Sequence, residues 1–162
     1  FVEYCKSYHN LNVENSSLEN EKNEEYDLIT MFDVLEHLTD PVDVFHTIHK
    51  KLKPGGHCVA YTPNIFSMGY ELMGAKQNTL LPFEHLCFFN KKSLGYLTEK
   101  TGFIVEKLEV RGLDIMDYLL LKEHEDGFNY TDKLQDLMNL LQAVLDKNKI
   151  GNHLRITFQK SF

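Results

Sequence analysis

With 162 residues, 43% of them hydrophobic and 25% charged, the chain has the length and balance of one ordinary globular domain. Its formal net charge of −7 argues against nucleic acid, because phosphate binding needs clustered Lys and Arg, and no apolar run approaches the length of a membrane span. Cys5, Cys58 and Cys87 are odd in number and irregularly spaced, which argues against a disulfide framework or zinc ribbon and predicts a reducing, cytoplasmic setting.

The chain opens on Phe1 rather than Met and is expected to be a piece of a longer protein. Residues 1–25 are polar and weakly patterned. Phe1–Tyr8 reads as the end of a helix, Leu11–Val13 as a short strand, and Asn15–Glu25 as an acidic, turn-rich run. Tyr26–Phe32 is apolar and bounded by polar residues, the mark of a buried strand. A helix follows, with Asp40 as N-cap, Pro41 at its first position and Asp43 complementing the positive helix end. Val42, Phe45, Ile48 and Leu52 give it one apolar stripe, Lys50, Lys51 and Lys53 suit its negative end, and Pro54-Gly55-Gly56 is expected to stop it. His57–Tyr61 then reads as a second strand, closed by Pro63. Strand, helix, glycine turn and strand make a βαβ unit, which predicts a parallel sheet with a right-handed crossover.

Residues 62–89 form a long and mostly irregular segment with a short helix near Tyr70; loops of this length inside a domain are usually functional. Asn90 caps a helix carrying Leu94 and Leu97 and closed by Gly102, and Phe103–Val110 is a further strand. Asp114 starts a short helix through Leu121. Thr131 starts an amphipathic helix with Leu134, Leu137, Met138, Leu141, Val144 and Leu145 on one face, ending by Gly151. His153–Gln159 alternates Leu154, Ile156 and Phe158 and reads as a strand with one better-buried face. No internal repeat and no second domain is visible.

Asp27–Leu38, Leu52-Lys53-Pro54-Gly55-Gly56, Thr62-Pro63-Asn64, Glu84-His85-Leu86, Phe88-Phe89, Ser93-Leu94 and Thr101-Gly102-Phe103, in this order, resemble successive landmarks of class I S-adenosylmethionine-dependent methyltransferases. The likeness covers roughly residues 13–110 and is nearest to the branch of ubiquinone-type and small-metabolite enzymes. It implies an α/β, Rossmann-like fold: a mainly parallel sheet with an antiparallel last strand and helices on both faces. The family's sheet order is 3-2-1-4-5-7-6, and this chain looks like its C-terminal part. Residues 1–25 are then a remnant of the N-terminal half, 26–110 the core, and 111–162 a helical insertion and the last strand, together one partial domain over 1–162. The family's glycine-rich loop is absent, since no glycine precedes Gly55, and so is its ribose-binding acid. The complete protein is expected to methylate a small-molecule acceptor, with no nucleic acid or membrane as partner, while this chain alone is expected to be inactive. The alternative is a non-catalytic, truncated module used for binding or assembly.

The resemblance places Leu18 and Glu19 near the adenine of S-adenosylmethionine, and Met31, Phe32 and Asp33 near its methionine part. The bland reading of Met31 and Phe32 is strand core. Asp33-x-x-Glu36-His37 offers two carboxylates and an imidazole just past a parallel strand, where ligands of such sheets bind. Related branches use a similar cluster, with a later His, to hold a divalent metal. Here His85 is the candidate later ligand, but no metal is assigned, and local capping and packing are preferred. His37 and His85, with Glu36, are candidate catalytic groups because imidazole titrates near neutrality. A structural His85 bonded to its own loop is the competing reading. Asp33, Glu36, His37 and His85 are expected to meet in one cleft. His46, His49 and His57 read as surface, Cys58 and Cys87 as small buried residues, and Phe83, Phe88 and Phe89 as core or acceptor-pocket lining. The Asp27–Phe32 strand, central in the family sheet, is an edge here, which predicts a homodimer through it or its covering by residues 1–25.

Overall fold

The structure is a computed structural model, and it describes residues 1–161. In chain order the elements are α1 (Val2–His9), β1 (Tyr26–Phe32), α2 (Pro41–Lys51), β2 (Leu52–Pro63), α3 (Met68–Met73), α4 (Lys91–Thr101), β3 (Phe103–Arg111), α5 (Asp114–Asp126), α6 (Tyr130–Lys133), α7 (Gln135–Lys147) and β4 (His153–Lys160). The sheet is four-stranded in the order β1-β2-β4-β3, with β1 parallel to β2 and β4 antiparallel to both neighbours. It matches the 4-5-7-6 part of the sheet order that the resemblance implies.

The local chemistry explains each boundary. The Asp40 carboxylate accepts from the Asp43 N–H at 3.0 Å and caps α2 behind Pro41. The helix ends at Lys51. Leu52 is already extended (φ −74°, ψ 141°) and begins β2 instead of completing the helical stripe. Pro54-Gly55-Gly56 is therefore no helix stop. It is a bulge inside the β1–β2 pairing, where Tyr26 faces Leu52 but Leu28 faces His57. Gly55 takes φ 74°, and a Cβ on Gly56 would lie 2.9 Å from the Lys53 carbonyl oxygen, so both positions favour glycine. Asn90 and Ser93 form a capping box at the start of α4, which Gly102 closes at φ 77°.

Ile29, Met31, Cys58, Ala60, Leu154, Ile156 and Phe158 point from alternate strand positions into one core with α2 and α4. Phe45, Phe103 and Phe158 meet there edge to face, with ring centroids 5.0–6.2 Å apart. His49 belongs to this region and not to the surface: its ring stands edge-on to Phe103 at 5.2 Å, its Nε2 is buried without a partner, and burial pushes its pKa down. His46 is exposed as read, and His57 lies 3.2 Å from the Glu106 carboxylate.

Residues 11–13 form no strand. A strand needs a neighbour to bond, and among the described residues the sheet ends at β1. The Leu11 N–H instead closes α1 on the Cys5 carbonyl at 3.2 Å. The following residues lie along the end of α2. The Glu24 and Glu25 amides donate to the Lys50 and Lys51 carbonyls, and the buried Lys51 ammonium donates to the carbonyls of Glu19 and Glu21. The outer edge of β1 carries no strand partner among the described residues.

The helical segment between β3 and β4 differs from its sequence reading in two respects. α5 continues to Asp126, five residues past Leu121, and the amphipathic helix breaks at Leu134 into α6 and α7. Of the α7 stripe Leu145 is buried, while Leu137, Leu141 and Val144 are about half exposed. A polar latch holds this segment down. Asp114, fully buried, accepts from the Gly69 N–H at 2.8 Å, the Asn152 N–H at 2.9 Å and Gln142 Nε2 at 3.1 Å. Asp114→Ala strands three donors, two of them backbone, and is expected to cost on the order of 3 kcal/mol. Urea unfolding measures the loss. Amide exchange should rise first in α5 and α7 if the latch is what fastens them.

Candidate functional site

The carboxyl ends of β1 and β2 carry the polar cluster. Asp33 leaves β1 in the left-handed region, φ 52°, and its N–H donates to the Tyr61 carbonyl at 3.1 Å. This bends the chain into a short 3-10 turn over Leu35–His37, anchored by the fully buried Leu35. Glu36 is only 2% exposed; its Oε2 accepts the Thr62 hydroxyl at 2.9 Å. Its carbonyl accepts the Leu86 and Cys87 amides at 2.8 and 2.9 Å, which stitches the 84–87 loop to the turn. Glu36 therefore neither caps a helix nor makes a local ion pair.

The two histidines face each other across that seam. His37 Nδ1 lies 2.7 Å from the Glu84 carbonyl oxygen, and His85 Nδ1 lies 2.7 Å from that of Thr79. A carbonyl can only accept, so each ring carries a proton on Nδ1. The rings meet edge to face at 4.8 Å. One ligand atom from each of Glu36, His37 and His85 falls within 4.8 Å of the others. Two imidazoles and a carboxylate this close can share a hydroxyl or a cation among them. The donor set accordingly fits a divalent cation as well as a hydroxyl. His85 bonds the backbone of its own loop, as its structural reading expected, and is nonetheless part of the cluster.

Asp33 does not belong to this group of three; it is exposed, and its charge acts on Tyr61 and His153, whose rings stack at 4.7 Å and 8°. Burial pushes the Tyr61 hydroxyl up, with Asp33 and Asp117 adding to the effect and Arg155 opposing it. Sequence reading passed over His153 as a strand residue. Its one signal was an Asn-His pair at the start of the strand that runs back from the ligand end.

Of the positions assigned to the cofactor, Met31 is strand core at 6% exposure, and Leu18 packs against the same cluster. Phe32 is 60% exposed, and Glu19 is exposed with its carboxyl held low by the Ser17 hydroxyl. Burial pushes the Cys58 thiol up to about 12 and raises that of Cys87, so neither is a ready nucleophile. The aromatic run divides three ways: Phe89 is core, Phe88 borders His85 at 6.5 Å, and Phe83 is 97% exposed, in neither core nor pocket.

The parallel pair and the antiparallel return strand define an α/β, Rossmann-like domain, with a cluster of a carboxylate and two imidazoles at the strand ends. A family profile described as "Methyltransferase domain" matches residues 3–108, and the chain belongs to that family. The ubiquinone biosynthesis O-methyltransferase of Aliivibrio fischeri is 33% identical over 104 residues, 60% of this chain and 42% of the relative. The chain thus spans well under half the length of that curated relative. An S-adenosylmethionine-dependent methyltransferase from Thermotoga maritima superposes with TM-score 0.58 at 18% identity, over 90% of this chain and 62% of that one. The phosphoethanolamine N-methyltransferase 2 of Haemonchus contortus, in complex with S-adenosyl-L-methionine, gives 0.52 at 18% identity, over 90% and 36%. At such identities the two structures speak for the fold. No helix among the described residues is long and apolar enough to cross a membrane.

Proposed function

We propose that the complete protein moves a methyl group from S-adenosylmethionine to a hydroxyl of a small-molecule acceptor. One observation carries this reading: within a methyltransferase domain, Glu36, His37 and His85 bring a carboxylate and two imidazoles together at the ligand end of the sheet. The cofactor's sulfonium supplies an electrophilic methyl group. Leu18 and Glu19 line the adenine side, and Met31, Phe32 and Asp33 the methionine side. Glu36, His37 and His85 serve catalysis by engaging the acceptor hydroxyl, which must be held in line with the methyl carbon. A divalent cation held by the same three residues would lower the hydroxyl's pKa. The O-methyltransferase relative favours oxygen as the atom methylated. The test is transfer of label from methyl-labelled S-adenosylmethionine to a panel of hydroxylated aromatic and aliphatic acceptors by the complete protein. Label in an organic product supports the reading, and its absence from the whole panel overturns it.

The setting in this reading is the cytoplasm, supported by three free cysteines, two of them buried. The partner is a small molecule, not nucleic acid or membrane. For the chain taken alone, a homodimer through β1 is part of the proposal. Leu28 and Phe32 on its outer-face positions are 53% and 60% exposed, and its free edge offers unpaired N–H and C=O groups. Antiparallel pairing about a two-fold axis uses one surface twice. Light scattering should give a dimer, with protected amides at Leu28–Met31. A monomer exchanging freely there would sink the idea.

A further inference from the structure

We infer that Gln77 is a positioning residue for His85, acting through the turn that holds the imidazole. The inference rests on the methyl-transfer reading above, in which His85 engages the acceptor hydroxyl, and it names what orients that ring.

The backbone supplies the first part of the argument. The chain leaves α3 through a 3-10 turn at Gly74–Lys76 and then reverses over residues 77–80. Gln77 accepts both bonds that close the reversal. Its carbonyl takes the Leu80 N–H at 2.9 Å, and its side-chain Oε1 takes the Thr79 N–H at 3.2 Å. The Leu80 N–H and the Thr79 carbonyl belong to one planar trans peptide, so holding the first aims the second the opposite way. That carbonyl is the one 2.7 Å from His85 Nδ1. It can only accept, so the ring carries a proton on Nδ1. In the neutral ring Nε2 is then the nitrogen left to act with Glu36 and His37.

The side chain of Gln77 is fixed as firmly as the turn. It is only 2% exposed. The Thr79 N–H can only donate, so Oε1 must face it, and Nε2 is turned inward, buried without a partner. A Cβ on Gly69 would lie 2.9 Å from that Nε2 and 3.0 Å from Asp114 Oδ1. Gly69 thus leaves the space in which the amide sits, and its own N–H is held by the Asp114 latch. An apolar side chain would fill the same space without stranding a donor. What the amide adds over such a filler is the bond to Thr79, and with it the aim of the carbonyl that holds His85.

Ring 15N spectra of this chain at about pH 8 test the assignment. The wild type should show His37 and His85 each with the proton on Nδ1. Gln77→Met keeps the volume and removes the acceptor, and Gly69→Ala pushes the amide from its seat. Each should shift His85 to a mixture of tautomers and leave unchanged His37, which bonds the Glu84 carbonyl. Thr79→Ala keeps the peptide and should leave both rings as they are. A His85 proton on Nε2 in the wild type, or one that stays on Nδ1 in either of the first two variants, overturns the inference without touching methyl transfer. Loss of order at both rings overturns it too, because the effect is then not confined to the turn. On the complete protein, Gln77→Met should lower kcat about 10-fold and leave KM for S-adenosylmethionine unchanged. Full activity overturns the inference alone. Absence of transfer by the wild type overturns it together with the reading it rests on.

Discussion

Titration of this chain with S-adenosylmethionine is expected to give no saturable heat at micromolar cofactor. Binding at that level needs about 8 kcal/mol. In the family that the landmarks resemble, a glycine-rich loop closes on the methionine end of the cofactor and an acid holds the ribose. No glycine precedes Gly55, so the loop has no counterpart here. What remains is one wall: Leu18 and Met31 committed to the core, Glu19, Phe32 and Asp33 in solvent. Two hydroxyls of the ribose and a charged amino-acid tail would stay in water, and only those contacts that repay the ordering of the ligand count as affinity. Isothermal calorimetry decides it. Micromolar binding would mean that the surviving wall, or a second copy of the chain, completes the site.

Phe158→Ala should be the most damaging single substitution in the sheet. The side chain is fully buried between Phe45 at 5.0 Å and Phe103 at 6.2 Å, on the strand that joins β2 to β3. Removing it costs the transfer free energy of the ring and leaves a cavity among rings that cannot collapse without leaving their rotamers. The sum is about 3–5 kcal/mol. Whole domains are stable by only about 5–15 kcal/mol, so much of the folded population is at stake. The urea midpoint should fall steeply or the cooperative transition should vanish. Phe83→Ala, at a site 97% exposed, is the control and should move the midpoint by less than about 0.5 kcal/mol. A Phe158 variant as stable as that control would show that the three-ring cluster is not the keystone of the core.

The sequence by itself determined the parallel β1–α2–β2 unit, the caps at Asp40 and Asn90, and the buried face of Leu154, Ile156 and Phe158. Each of these is written in nearest neighbours: an acid before a proline, an apolar residue at every second position, a glycine where φ turns positive. Other features depended on groups distant in the chain, and only the tertiary structure decided them. Leu11–Val13 carries a strand pattern but has no strand to bond. Leu52 continues a helical stripe but leaves the helix to pair with Tyr26. His49, at a spacing that reads as surface, is drawn against Phe103. The site divides in the same way. That Glu36 and His37 lie together follows from adjacency, but His85 joins them because the Glu36 carbonyl takes two amides of its loop, nearly fifty residues on. His153 lies near the end where the parallel strands finish because the antiparallel β4 begins there, opposite Pro63. Periodicity and capping are local energies and can be read along the chain; which side chains share a cleft is set by the pairing of strands, and that pairing is decided by the free energy of the whole sheet.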